Sequence, residues 1–136
     1  MKYLLDTNIC IYIIKNKYID IVKKLDRVGI DNVAVSSITV AELEYGISKS
    51  SKPKESEEKL YEFLVPFEIL DFNVAAARYY GKLRGELTKN GNLIGSMDML
   101  IASIALANDL RIVTNNEKEF ERIPNLKIEN WIKKVP

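Results

Sequence analysis

An α/β domain built on a parallel sheet is what this sequence predicts, from three observations. Short apolar runs alternate with segments of helical period, the layout of successive βαβ units. At 136 residues the chain has the length of one domain with one core, so a single domain over residues 1–136 is expected. Three acidic residues, Asp6, Glu42 and Asp98, each stand in a largely uncharged stretch at the start of a helical segment.

The elements follow in chain order. Residues 3–5 (YLL) make a first strand that runs into Asp6, Thr7 and Asn8, and a helix over 8–15 follows, then a second over 19–28. Residues 33–36 (VAVS) make the second strand and 39–48 the third helix. The stretch 48–56 (SKSSKPKES) is polar, carries Pro53 and reads as a solvated loop or helix break before a helix over 56–65. A third strand covers 67–70 and a long helix 74–89, and two glycines mark a weak spot over 90–95. The helix over 97–108 is apolar almost all round, so it packs against the sheet and carries Asp98 in with it. Residues 111–113 make a fourth strand, followed directly by Thr114, Asn115 and Asn116, and 127–129 a short edge strand.

Composition excludes several chemistries. The chain has no His, which removes Ser-His-Asp and Cys-His nucleophile systems, the usual zinc sites and the commonest general base. Cys10 is the only cysteine, with no disulfide partner and no metal-ligand spacing, and reads as a small core residue of a protein in a reducing cytoplasm. A net charge of +1 does not suit holding nucleic acid by bulk charge, so a polyanion would be met by a local basic patch or through a metal. No signal peptide is expected at the N-terminus, and the apolar run 99–107 falls short of the ~20 residues a membrane span needs. A soluble, cytoplasmic protein without membrane contact is the expectation.

Carboxylates remain for the chemistry. In open parallel sheets ligands bind beyond the carboxyl ends of the strands, where Asp6, Glu42, Asp98 and the residues after the fourth strand would gather. Each acid also has a local explanation. Asp6 can cap the helix after it, Thr39-x-x-Glu42 and Thr114-x-x-Glu117 fit capping boxes, and Asp98 can complement a helix dipole. If they converge, carboxylates this close need a cation. Oxygen ligands without imidazole or thiolate favour Mg²⁺ or Mn²⁺, the chemistry of phosphodiester hydrolysis.

The segments MKYLLDTN, SSITVAELEYGI, SMDMLIASIALAND and RIVTNNEKEFERIPNLKIENW resemble, in that order, the PIN-domain ribonucleases, and most closely the VapC toxins of bacterial toxin–antitoxin pairs. The resemblance runs from Met1 to about Trp131 and implies a three-layer α/β/α domain with a central, mainly parallel sheet. It implies a Mg²⁺-dependent endoribonuclease, with Mn²⁺ as substitute, in which Asp6 and Asp98 hold metal and Glu42 is the second acidic residue. Thr7 and Thr114 resemble the hydroxyl residues that orient ligands and water. Many members carry Asp two residues after the Thr that ends strand four, where this chain has Asn116. Glu119 or the nearer Glu117 would then supply the fourth carboxylate, and either Asn116 or Glu119 would complete the water network.

The resemblance also implies an RNA substrate, structured RNA such as tRNA among them, a homodimer, and a VapB-type antitoxin with which it forms a higher assembly. Lys49, Lys52 and Lys54 in the polar loop, and Arg78, Lys82, Arg84 and Lys89 on the long helix, are the residues that would meet phosphates; Arg78 and Lys82 lie one turn apart. Tyr45, Tyr61, Tyr79 and Tyr80 either stack on unpaired bases or pack in the core or a dimer. The competing reading is a PIN-like domain that binds RNA or a partner with little or no cutting, which the Asn at 116 keeps open.

Overall fold

In the computed structural model, which describes residues 1–132, five parallel strands form one sheet in the order β3-β2-β1-β4-β5. Residues 133–136 of the expected domain lie outside the described residues. The strands are β1 (Tyr3–Leu5), β2 (Val33–Ser36), β3 (Glu68–Leu70), β4 (Arg111–Val113) and β5 (Ile128–Glu129). The helices are α1 (Thr7–Ile14), α2 (Ile19–Val28), α3 (Ser37–Ser48), α4 (Pro53–Leu64), α5 (Val74–Lys89), α6 (Ser96–Ala107) and α7 (Glu117–Phe120).

Alternation along the strands divides the core into two. Tyr3, Leu5, Val33, Val35 and Val113 face one side, where they pack with Ile9 and Cys10 of α1, Ile21 and Leu25 of α2, Leu43 of α3 and Leu60 of α4. Leu4, Ala34 and Ile112 face the other, with Leu83 and Leu87 of α5, Met99 to Ala105 of α6 and Phe120 of α7. A parallel strand buried on both faces reads as a continuous apolar run, which is why YLL and VAVS stand out in sequence. The three expected layers are present. No helix among the described residues is long and apolar enough to cross a membrane.

Several boundaries differ from expectation, each for a local reason. The polar stretch expected as a loop over 48–56 ends early, because α4 starts at Pro53. Proline at the first helical position loses no intrahelical hydrogen bond and has its φ already set. Helix α3 begins at Ser37 rather than Thr39, since the Ser36 hydroxyl accepts the Thr39 N–H at 3.0 Å and is the cap. The Thr39-x-x-Glu42 capping box therefore does not form. Asn116, not Thr114, caps α7, so the second expected box is absent too. That helix was not anticipated; its 4 residues are too few to show a helical period.

Order reverses at β1, whose neighbours β2 and β4 lead to helices on different faces. The crevice beyond the carboxyl ends of β1 and β4 is the switch point where open parallel sheets bind ligands. Asp6 directly follows β1 and Thr114 directly follows β4, and the Asp6 N–H donates to the Val113 carbonyl at 3.0 Å.

Candidate active site

Asp6 is 3% exposed and uses both carboxylate oxygens on the protein. Its Oδ1 accepts the Ile9 N–H at 2.9 Å and so caps α1, while its Oδ2 accepts the Thr114 hydroxyl at 2.5 Å. The local and the functional explanation of Asp6 are thus both satisfied, one oxygen each. Burial raises its pKa from 3.8 to about 6; the Thr114 and Ile9 bonds offset part of that rise, and the charge of Glu42 adds to it.

Glu42 is reached through a chain of hydroxyls. Thr7 Oγ1 donates to Glu42 Oε1 at 2.6 Å and lies 3.0 Å from Thr39 Oγ1, which accepts from Ser36 Oγ at 3.3 Å. A hydroxyl has one proton, so with Thr7 committed to Glu42 the chain runs one way, Ser36 to Thr39 to Thr7 to the carboxylate. The aligned hydroxyls fix the rotamer of Glu42. Sequence reasoning found Thr7 but missed Ser36 and Thr39 as its supports; the Ser-x-x-Thr spacing after a strand was the available signal.

Asp98 sits in the first turn of α6, where the helix dipole favours an anion. Burial, then the charges of Glu119, Asp6 and Glu42, raise its pKa from 3.8 to about 6. Repulsion among these four groups means that the fold has collected them at one place.

The fourth carboxylate is brought by α7. Glu119 Oε1 accepts the Gly95 N–H at 3.0 Å, and its Oε2 accepts the Asn116 side-chain amide. The Gly95 bond holds its pKa below the usual value; burial opposes this, and Asn116, Arg122 and a hydrogen-bond contact with Asp98 assist it. Asn116 in turn donates its backbone N–H to Thr114 Oγ1 at 2.9 Å. Asn116 therefore orients Glu119 and does not replace it. Glu117 is engaged elsewhere, accepting from Asn130 Nδ2 at 2.7 Å.

A cleft of about 710 Å³ opens over Asp6, Thr7, Glu42 and Asp98. Lys49 is the one basic residue among the described residues that line it, with Tyr45 and Gly46 beside it. Lys52 caps the start of α4, and Arg78 and Lys82 lie on α5; none of the three lines this cleft. Lys82 borders a separate hollow with Glu86 and Pro124.

The donor set suits a hard divalent cation: oxygen ligands only, no imidazole in the chain, and Cys10 fully buried. Among the described residues no three acidic side chains are drawn into a closed ligating cluster. Hydrogen bonds from Thr7 and Thr114 hold Glu42 and Asp6 at the cleft, and those from Gly95 and Asn116 hold Glu119 beside Asp98. Oxygen donors of this kind suit an ion that keeps several waters and binds through one or two carboxylates.

Comparison with known proteins agrees with this geometry. The profile of the PIN domain matches residues 3–126. Ribonuclease VapC2 of Rickettsia felis is 49% identical over 134 residues, covering 98% of this chain and all of the relative. The tRNA(fMet)-specific endonuclease VapC of Salmonella typhimurium is 40% identical over 131 residues, covering 96% of this chain and 98% of the relative. Among solved structures, VapBC2 from Rickettsia felis bound to a DNA fragment from their promoter superposes with a TM-score of 0.91 at 48% identity, over 96% of this chain and 99% of that one. DNA-bound VapBC from Salmonella typhimurium gives 0.92 at 40% identity, over 96% and 98%. With acidic residues gathered at the switch point of a parallel sheet and relatives matched end to end, this chain belongs to the PIN-domain family, in its VapC branch.

Proposed function

We propose that this chain is a Mg²⁺-dependent endoribonuclease of one PIN domain, the toxin of a toxin–antitoxin pair, acting in the cytoplasm on structured RNA such as tRNA. The observation that carries this reading is the convergence of Asp6, Glu42, Asp98 and Glu119 at the switch point, with Asp6 and Asp98 raised to about 6. Four carboxylates facing a polyanion would repel it unless a cation intervened. The names of the relatives, ribonuclease and tRNA(fMet)-specific endonuclease, supply the substrate class.

Asp6 and Asp98 would hold the ion. When bound, the cation lowers the pKa of a water and stabilises the charge that builds on the phosphoryl oxygens. Thr114 fixes Asp6 in one rotamer, and the Ser36-Thr39-Thr7 chain holds the Glu42 carboxylate in place to position the attacking water and accept its proton. The Gly95 N–H and Asn116 hold Glu119 against Asp98, so the site keeps four carboxylates although residue 116 is not acidic. This supports the cutting reading over the non-cutting one.

A VapB-type antitoxin is the partner we assign, supported by the VapBC complexes among the structural relatives, and a homodimer is assigned with it on the family resemblance alone. The test is cleavage of total tRNA by the purified chain in Mg²⁺, compared with Mn²⁺ and with excess chelator. Asp6→Ala and Asp98→Ala should each lose cleavage while circular dichroism stays that of the wild type. Full cleavage by either variant, or in chelator, would refute the metal mechanism.

A further inference from the structure

We propose that Tyr45 and Lys49 form a nucleotide-binding platform beside the acidic cluster, the ring stacking on an unpaired base of RNA and the ammonium meeting a phosphate. This rests on the ribonuclease reading and says where the strand lies next to the cut. Both residues lie in the α3 segment at the helical spacing i+3 and i+7 from Glu42, Lys49 as its C-cap, so one face carries all three into the cleft. At 1.5 Å per residue they lie about 4.5 Å and about 10 Å along the axis from Glu42, the separation of close neighbours on an RNA strand.

Three features mark the pair as a platform. Tyr45 is 64% exposed although it is a large aromatic residue, and among the described residues it belongs to neither core cluster. Lys49 Nζ lies 4.5 Å from the ring centroid, over one face of the ring, so the cation already stands beside the ring and a base would take the opposite face. Gly46, next to Tyr45, occupies a helix interior where glycine is unfavourable, yet a Cβ there would meet nothing within 4 Å. Among the described residues no contact requires that glycine; it leaves open the space a base on Tyr45 would enter. Across the cleft Met97, 49% exposed, offers an apolar surface to the same space.

An acidic peptide could also meet an aromatic residue and a lysine. RNA is favoured because the platform is continuous with the carboxylates that would act on a phosphodiester, and because base stacking needs only a free ring face. The platform chooses no sequence; it raises affinity for unpaired nucleotides flanking the reactive phosphate.

The probe is a single-stranded oligoribonucleotide with 2-aminopurine at successive positions, titrated in Mg²⁺ with the full Asp98→Asn chain so that it stays intact. Stacking should quench the probe at one position. Tyr45→Ala should abolish the quench and weaken binding about 10-fold to 100-fold, whereas Tyr45→Phe should retain both. Lys49→Ala should weaken binding and make the slope of log affinity against log salt shallower by about 0.7. A quench and affinity unchanged in Tyr45→Ala would overturn the platform. So would loss of antitoxin binding by Tyr45→Ala with RNA binding intact, which assigns the patch to a protein. Cleavage assays on chains that retain Asp98 separate the two readings. If the wild-type chain cuts RNA and Tyr45→Ala cuts it with the same KM, the platform alone falls. If the wild-type chain neither cuts nor binds RNA, both fall.

Discussion

Replacing Asp98 by Asn should stabilise the metal-free protein at neutral and alkaline pH, although it destroys the site. In the folded chain the Asp98 carboxyl is raised from 3.8 to about 6, chiefly by burial and then by Glu119, Asp6 and Glu42. At 1.36 kcal/mol per unit, a rise of about two units corresponds to at most ~3 kcal/mol of destabilisation when the group is ionised. Asp98 is partly exposed, and solvent screening brings the expected gain down to about 1–2 kcal/mol, or ~4 °C in Tm per kcal/mol.

The sign follows from proton binding. A carboxyl whose folded pKa exceeds its unfolded one holds its proton more tightly when folded, so stability falls as pH rises between about 4 and about 6. Below that window both chains carry a neutral group at position 98 and should unfold alike; above pH 6 the full difference should appear. Urea unfolding in EDTA at pH 4 and at pH 8 measures this directly. Millimolar Mg²⁺ should then restore the wild type and leave Asp98→Asn unmoved, since only a chain that binds the ion gains from it. An Asp98→Asn chain that is no more stable than the wild type at pH 8, or whose gain is the same at pH 4, would refute the crowded-carboxylate account.

Thr114→Val removes the hydroxyl that donates to Asp6 Oδ2 and should push the Asp6 pKa above 6. The acid limb of the pH–rate profile should move up by about one unit, so that cleavage falls more at pH 6.5 than at pH 8.5. Phe120 is 0% exposed, and Phe120→Ala should cost about 3–5 kcal/mol in urea unfolding; because it anchors α7, affinity for Mg²⁺ by calorimetry should fall with the loss of a fixed Glu119. Cys10 is fully buried and burial pushes its thiol up, with the Asp6 charge adding to the rise. Its alkylation at pH 8 should be at least about 100-fold slower in the native protein than in urea.

Much of the fold was legible because parallel strands buried on both faces leave continuous apolar runs. YLL, VAVS and RIV are such runs, and β1, β2 and β4 fall where they stand. Boundaries were less legible where a single residue decides them. Pro53 reads equally as a loop residue and as the first residue of a helix, and only the packing of Leu60 against the sheet selects the second. Helix α7 was invisible because 4 residues show no period; what fixes it is Phe120 docking in the core.

Asp6, Glu42 and Asp98 could be picked out along the chain, because a carboxylate in a largely uncharged stretch at the start of a helical segment is costly to bury without a purpose. Residue type and spacing also determined that the chemistry would be oxygen-based, since the chain offers no imidazole. Residue type and spacing offered Asn116, Glu117 and Glu119 at the fourth position and could not choose among them. Asn116 and Glu119 lie close together in sequence, but Glu119 is tied to Gly95, 24 residues away, and only the docking of α7 against the start of α6 brings them together. Thr7 and Thr39 meet across 32 residues for the same reason: β1 and β2 are neighbours, and the starts of α1 and α3 are placed side by side by the sheet. Local chemistry selects the ligands, whereas long-range strand order and core packing set their distances, and those distances decide their pKa values and their roles.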